Sequence, residues 1–383
     1  MLAGVERIDR TQLLLARFQR QDLHREPGHH AAVGDVALLD LGVQDTGGDG
    51  APWALAVRGA PAPTEEVLVY AWTLRGAPHA YRRSDAAAVA VATAPWSEAD
   101  AAKRIFDAAR PLRAAGIPVL EALRTVADHA RDIVRRPTVK GDLSRELTAR
   151  LPEPFLRWCR PCQATHCYEQ PFRLAALQAG LELDAGTSPP VLRRIAGLRP
   201  NQLRRGGDQA EPRLDVVRNH LRFYPGAGVK DVAEHVDTPV KEVRARWPED
   251  AVEIEVTGAA EPTAGWVLAE DLDALRAAEP TGALRLLGGY DPYLQLRDRA
   301  LLVPDAARRK ALWPVLGRPG AVVRDGEVVA TWRPRTSGRR LTLLVEPWGP
   351  LSRREHERIE AEAERLAAHR GVALAGLDLS PPA

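Results

Sequence analysis

Two short stretches gather the side chains whose types and spacing could do chemistry. In FLRWCRPCQATHCYEQPF, Cys159 and Cys162 form a Cys-x-x-Cys knuckle, and His166 and Cys167 follow closely. Thiolates and imidazoles so spaced are zinc ligands. A second knuckle is missing, and ligands at adjacent positions 166 and 167 rarely converge on one ion. Ligand count therefore favours a packed turn with buried thiols over a metal site formed by Cys159, Cys162 and His166. In LGVQDTGGDGAPWALAVR, Gln44, Asp45 and Thr46 stand together ahead of a run of glycines, where an apolar helix is ending. A carboxamide, a carboxylate and a hydroxyl there either cap the helix and its turn or face a ligand that the glycines allow to come close. FQRQ offers a similar pair, Gln19 and Gln21, but neighbours two apart on a helix do not share a face, so both are expected at the surface.

The elements that must hold these residues follow from periodicity. IDRTQLLLARFQRQDL places Ile8, Leu13, Leu14, Leu15 and Phe18 near a 3.6-residue period. Val119 to Val134 is a long amphipathic helix, GDLSRELTARL starts another at Asp142 and Ser144, and EQPFRLAALQAG ends a third at a glycine. LELDAGTSPPVLRRI then reads as two strands around a Gly- and Pro-rich turn. The same order returns in RLDVVRNHLRFYPG, VKDVAEHVD and PVKEVRARW, followed by a strand alternating Val252, Ile254 and Val256 and a return through Trp266. Helix, helix, helix and ribbon is the winged-helix pattern. The expected class is α+β, mainly helical, with winged-helix modules at 1–115, 116–205 and 206–276. A β-rich segment and closing helix at 277–383 complete it, with strands joined at Asp325-Gly326 and Ser337-Gly338. Polar linkers at Arg199–Pro212 and Ala277–Thr281 mark the later boundaries.

Composition limits what such modules can do. A chain of 383 residues, 45% hydrophobic, buries a substantial core. Net charge is +2, yet Lys occurs only at 103, 140, 230, 241 and 310, so the cations are mostly arginine. Guanidinium suits phosphate, although arginine enrichment also follows from a GC-rich coding sequence. Three winged helices in tandem imply a scaffold for double-stranded DNA, with Arg204, Arg205, Arg297 and Arg299 as candidate phosphate contacts. No run of 18 apolar residues and no signal peptide is present, so a cytoplasmic, nucleoid-associated protein is expected. No cofactor is called for.

LGVQDTGGDGAPWALAVR, WTLRGAPHAY, LLGGYDPYLQLRDRALLVPDAARRKALWP and EVVATWRPR together resemble the tandem winged-helix DNA glycosylases. These are bacterial enzymes that remove alkylated purines and unhook interstrand crosslinks. The resemblance extends over most of the chain and is strongest at 41–81 and 283–333. In that family a Gln-x-Gln or Gln-x-Asp motif is catalytic, and the resemblance places Gln44 at its first position and Thr46 at its second. Thr46 departs from the pattern, and Asp45 occupies the position the family leaves free. Hydrolysis of an N-glycosidic bond passes through an oxocarbenium-like state, helped by a group that orients water and by nearby negative charge. A cationic N7-alkylpurine already leaves well, so a neutral Gln suffices. Thr46 spans less distance than Gln, and Asp45 would supply charge only if the turn rotates it inward. Arg75 and His79, at a strand-to-loop junction, are expected to face the same cleft, and Trp72 is expected in the core.

The runner-up is a non-catalytic winged-helix regulator. Regulators are usually symmetric dimers on palindromic sites, whereas tandem copies supply multivalency within a monomer. A metal nuclease is disfavoured, because Asp291 and Asp298 form no carboxylate cluster.

Overall fold

Strand β1 (Glu6–Asp9) leads into helix α1 (Arg10–Arg20), where the Asp9 carboxylate accepts the Thr11 amide at 2.8 Å. The structure, a computed structural model, describes residues 5–47, 50–198, 207–258 and 261–380. Leu13, Leu14, Leu15 and Phe18 bury the inner face of α1. Gln21, expected at the surface, is instead 1% exposed. Its Oε1 accepts from Arg58 at 3.1 Å and its Nε2 donates to the Phe223 carbonyl at 3.1 Å. Burial is tolerated because both ends of the amide are satisfied.

The apolar run before Gln44 also departs from expectation. Leu38 and Leu39 lie in a short 3-10 turn, Ala37–Asp40, and the two-residue strand β2 (Val43–Gln44) follows. Gly42 makes the bend at φ +93, and a Cβ there would lie 2.5 Å from the Tyr81 ring. Gln44 therefore leaves a strand, not a helix. Helix α2 (Gly50–Ala56), strands β3 (Leu68–Trp72) and β4 (Pro78–Arg82), and helices α3 (Ala86–Ala92), α4 (Glu98–Arg104) and α5 (Ala109–Ala114) come next.

The middle of the chain follows its periodicity closely. Helix α6 (Val119–Ile133), strand β5 (Thr138–Val139), helix α7 (Lys140–Arg150), the hairpin β6 (Leu156–Cys159) and β7 (Ala164–Cys167), and helix α8 (Glu169–Gln178) precede the ribbon β8 (Leu181–Leu183) and β9 (Val191–Arg194). Helices α9 (Val216–Phe223), α10 (Val229–Val236) and α11 (Val240–Arg244) precede the longer ribbon β10 (Ala251–Thr257) and β11 (Thr263–Leu268), then α12 (Leu272–Arg276). Trp72 is core, with its ring 5.5 Å from that of Phe172. The last segment holds β12 (Leu284–Leu287), α13 (Arg299–Leu302), α14 (Ala306–Leu312), β13 (Gly320–Arg324), β14 (Glu327–Ser337), β15 (Arg340–Pro347), α15 (Arg353–His369) and β16 (Ala373–Leu379). The β14 and β15 turns fall at the expected Asp325-Gly326 and Ser337-Gly338, where three of the four residues have positive φ. Strand β16, which periodicity did not reveal, pairs parallel with β15.

Sheet pairing ties distant segments together. Among the described residues, one sheet runs β2-β4-β3-β8-β9-β5 and another runs β12 to β16 in sequence order. Strand β1 pairs parallel with β10, some 250 residues on, as Glu6 opposite Ile254 shows. The largest apolar cluster spans Phe18, Trp53, Leu286 and Trp332, and the Trp53 indole donates to the Leu286 carbonyl at 2.8 Å. The architecture is α+β, with 44% helix against 23% strand.

Candidate functional site

Strand alternation sorts the Gln44 motif onto two faces. Gln44 is registered opposite His79, and Val43 opposite Ala80, so Gln44 and His79 share a face and successive residues point the other way. Two residues on, Thr46 rejoins Gln44: the Gln44 Nε2 donates to Thr46 Oγ1 at 3.0 Å. Asp45 turns to the opposite side. Its carboxylate accepts the Ala51 amide at 2.9 Å, in the first turn of α2, and it lines a cleft of about 300 Å³ with Tyr70, Trp72, Pro78 and Asp184. A carboxylate at a helix start is stabilised by the unpaired amides and their dipole.

His79 is locked as a neutral ring. Its Nδ1 lies 3.0 Å from the Ala77 carbonyl and 2.9 Å from Thr73 Oγ1, which also lies 2.9 Å from the Tyr81 hydroxyl. A carbonyl only accepts, so Nδ1 carries the proton and Nε2 the lone pair. Burial, then the nearby Arg75 charge, lowers its pKa to about 3. Arg75 occupies the left-handed region, φ +59, in the turn joining β3 to β4. Its guanidinium donates to the His235 carbonyl at the end of α10. Burial, then repulsion from Arg297, brings its pKa down to about 10.

Through Arg75 the motif meets the basic residues of the last segment. Arg297 is lowered by burial, with Glu234 opposing. Arg299 falls to about 10 by burial, then repulsion from Arg318 and Arg297. Arg299 stacks 5.0 Å over Trp313, and Arg318 stacks 5.0 Å over Tyr290. The Nε groups of Arg297, Arg299 and Arg318 meet no hydrogen-bond acceptor among the described residues. Guanidinium groups crowded until they repel one another, with donors to spare, form a site that an anion relieves. Arg318 was missed by sequence reasoning. Nothing in its spacing marks it, because β13 and the loop before it bring it in. Beside it in sequence, Val315 and Leu316 are 94% and 85% exposed. Arg204 and Arg205 lie outside the described residues.

Two acidic residues of the YDPYLQLRDR stretch are structural. The Asp291 carboxylate takes both Arg58 amino groups at 2.8 and 2.9 Å, and Asp298 pairs with Arg17 at 2.5 Å. The cysteine stretch forms the separate hairpin β6–β7, where candidate ligand atoms of Cys159, Cys162 and His166 lie within 4.8 Å of one another. Cys167 is buried, its thiol 3.9 Å from the Ser144 hydroxyl.

Comparison with known proteins identifies the family and the fold. A family model described as DNA glycosylase AlkZ-like matches residues 41–369. The chain is 30% identical over 179 residues to the "Interstrand DNA cross-link repair glycosylase" of Streptomyces sahachiroi. That match covers 43% of this chain and 44% of that protein, so the chain spans under half of the relative's length in it. Among solved structures the fold is similar to "Streptomyces sahachiroi DNA glycosylase AlkZ", with TM-score 0.71 and 20% identity over 98% of this chain and 100% of that one. The family match covers most of the chain, and this chain belongs to the AlkZ-like DNA glycosylase family.

Proposed function

We propose that the protein is a DNA glycosylase that hydrolyses the N-glycosidic bond of N7-alkylated purines in double-stranded DNA, crosslinked purines included. The observation that carries this reading is the hydrogen bond from Gln44 Nε2 to Thr46 Oγ1 on the His79 face, 3.0 Å long. It holds the carboxamide in one rotamer and leaves Oε1 to accept a proton from a water. A neutral acceptor orients water without strongly deprotonating it, which suits a leaving group already cationic. Cationic N7-alkylpurines should therefore be preferred to neutral bases.

The supporting residues surround that pair. Arg75, Arg297, Arg299 and Arg318 hold backbone phosphates, and exposed Val315 and Leu316 beside Arg318 supply an apolar wedge for the gap that an extruded nucleotide leaves. The units at 1–115, 116–205 and 206–276 are read as winged helices, with 277–383 carrying the arginine cluster. Their succession within one chain suits a monomer on damaged duplex. No helix among the described residues is long and apolar enough to cross a membrane, and a DNA substrate implies a position at the nucleoid.

A duplex carrying N7-methylguanine, incubated with the protein and then heated in alkali, tests the reading. Wild type should give strand cleavage at the lesion. Gln44→Ala should keep duplex affinity while slowing base release by roughly 10²–10⁴, and Thr46→Gln should speed it. If neither wild type nor Thr46→Gln releases the base while both bind duplex, the non-catalytic DNA-binding reading takes its place.

A further inference from the structure

We propose that Cys159, Cys162 and His166 bind a zinc ion that pins the β6–β7 hairpin, with the fourth position open to solvent. The proposal does not rest on the glycosylase reading. Cys159 ends β6, and the register sets Cys159 opposite Ala164 and Arg157 opposite His166. Cys159 and His166 are therefore diagonal neighbours on one face of the hairpin. Cys162 lies in the connecting turn, closed by a hydrogen bond from the Gln163 amide to the Arg160 carbonyl at 3.3 Å, with Gln163 at φ +50.

Strand alternation also removes the objection that adjacent ligands cannot converge. Cys167 points inward to Ser144 and is buried, whereas His166 points to the cysteines. The tautomer of the imidazole suits a metal. Its Nδ1 lies 3.0 Å from the Cys167 carbonyl, which can only accept, so Nδ1 holds the proton and the Nε2 lone pair is left over. A backbone carbonyl fixing the tautomer of a metal-binding histidine is the usual support for such a ligand. Ligand atoms within 4.8 Å must close to about 3.8 Å for two sulfurs on tetrahedral zinc. Rotation of an exposed Cys162 covers that difference. Two thiolates neutralise the dication, so neighbouring Lys140 and Arg157 do not oppose it.

The hairpin has reason to need the ion. Its strands are four residues each, they form their own two-stranded sheet, and the hairpin carries Trp158, 59% exposed. The inner face of β7 is anchored on α7 through Cys167 and Thr148, and a two-stranded ribbon with cover on one side only is marginal in water. A cross-link between the turn and both strands holds this one in shape.

Full-length protein purified without chelator from zinc-supplemented cells should carry one zinc per chain by elemental analysis, and Cys159→Ser/Cys162→Ser should carry none. Cobalt(II) added to chelator-treated wild type should give sulfur-to-cobalt charge-transfer absorption and the visible bands of a tetrahedral site. His166→Asn, which keeps both cysteines, should weaken cobalt affinity at least tenfold. Amides of residues 156–167 should exchange faster after metal removal. Wild type that holds no zinc and gives no cobalt bands would overturn the proposal. So would zinc retained by the double variant, or recovery of Cys159 and Cys162 as a disulfide from freshly lysed cells.

Discussion

Asp45 stands between Gln44 and Thr46 in sequence and apart from them in space. Successive side chains on an extended backbone point to opposite faces, so the carboxylate turns from the Gln44 face and accepts the Ala51 amide at 2.9 Å. Asp45→Asn should accordingly lower thermal stability by about 1 kcal/mol, the usual size of a helix-start contact, and leave the base-release rate within about twofold. Rates measured beside melting curves separate the two roles, and a large rate loss at unchanged melting temperature would return Asp45 to the chemistry. The sequence leaves Asp45 open because the residues before it have the apolar pattern of a helix. Leu38, Leu39 and Leu41 are buried as a helix face would be, but Gly42 breaks the run and turns it into a strand.

The turn between β3 and β4 and the helices α9 and α10 meet around three buried histidines. The His220 and His235 rings are 4.6 Å apart, and neither ring nitrogen of His235 has a partner among the described residues. His79 and His220 have pKa lowered to about 3, and His235 lies well below its ordinary value. Burial is the first cause in each. The next causes are Arg75 for His79, Arg17, Arg297 and Arg75 for His220, and His220, Arg75 and Arg297 for His235. Unfolded, each ring takes a proton near pH 6.5. Below that pH the unfolded chain binds more protons than the fold does. Stability present above pH 6.5 is thus lost as pH falls toward 3, by up to about 1.4 kcal/mol per pH unit for each ring. Urea midpoints should drop steeply between pH 7 and pH 5. His235→Phe should reduce that slope by about a third, and an unchanged slope would show that His235 does not contribute.

Contacts between the chain's beginning and its end hold these parts in one frame. Arg58 and Asp291 are both fully buried, bidentate, and joined by Gln21. Asp291→Ala leaves a buried guanidinium without its counter-charge and should cost about 3–5 kcal/mol, read as a shift in the denaturation midpoint. A loss below 1 kcal/mol would mean that water reaches Arg58. The arginines that the same frame gathers should behave differently. Replacing Arg297 and Arg299 together by Ala should weaken duplex binding for all sequences alike and reduce the salt slope by about 0.9 for each phosphate no longer neutralised. Fluorescence anisotropy across salt concentrations measures this, and weakening confined to one sequence would instead indicate base reading.

Local signals account for the elements that were legible beforehand. Helix α6 shows in its amphipathic period, α8 stops at Gly180 with φ +72, and Asp325-Gly326 demands the positive φ of a tight hairpin. Each depends on residues within a few positions, where steric and capping preferences act without help from the rest of the fold. The assignment of Gln44 to the motif's first position rests on family resemblance alone. What no local pattern carried was partnership across long separations. Strand β1 finds β10, Gln21 is enclosed by Arg58 and Phe223, and Arg75 comes to rest against His235 beside Arg297. Likewise, the hairpin register, not the spacing of Cys159, Cys162, His166 and Cys167, decides that His166 faces the first two cysteines and Cys167 faces inward. Periodicity tells which face of a segment seeks burial. Which distant segment buries it depends on shape, charge and hydrogen-bond satisfaction summed over the assembled chain.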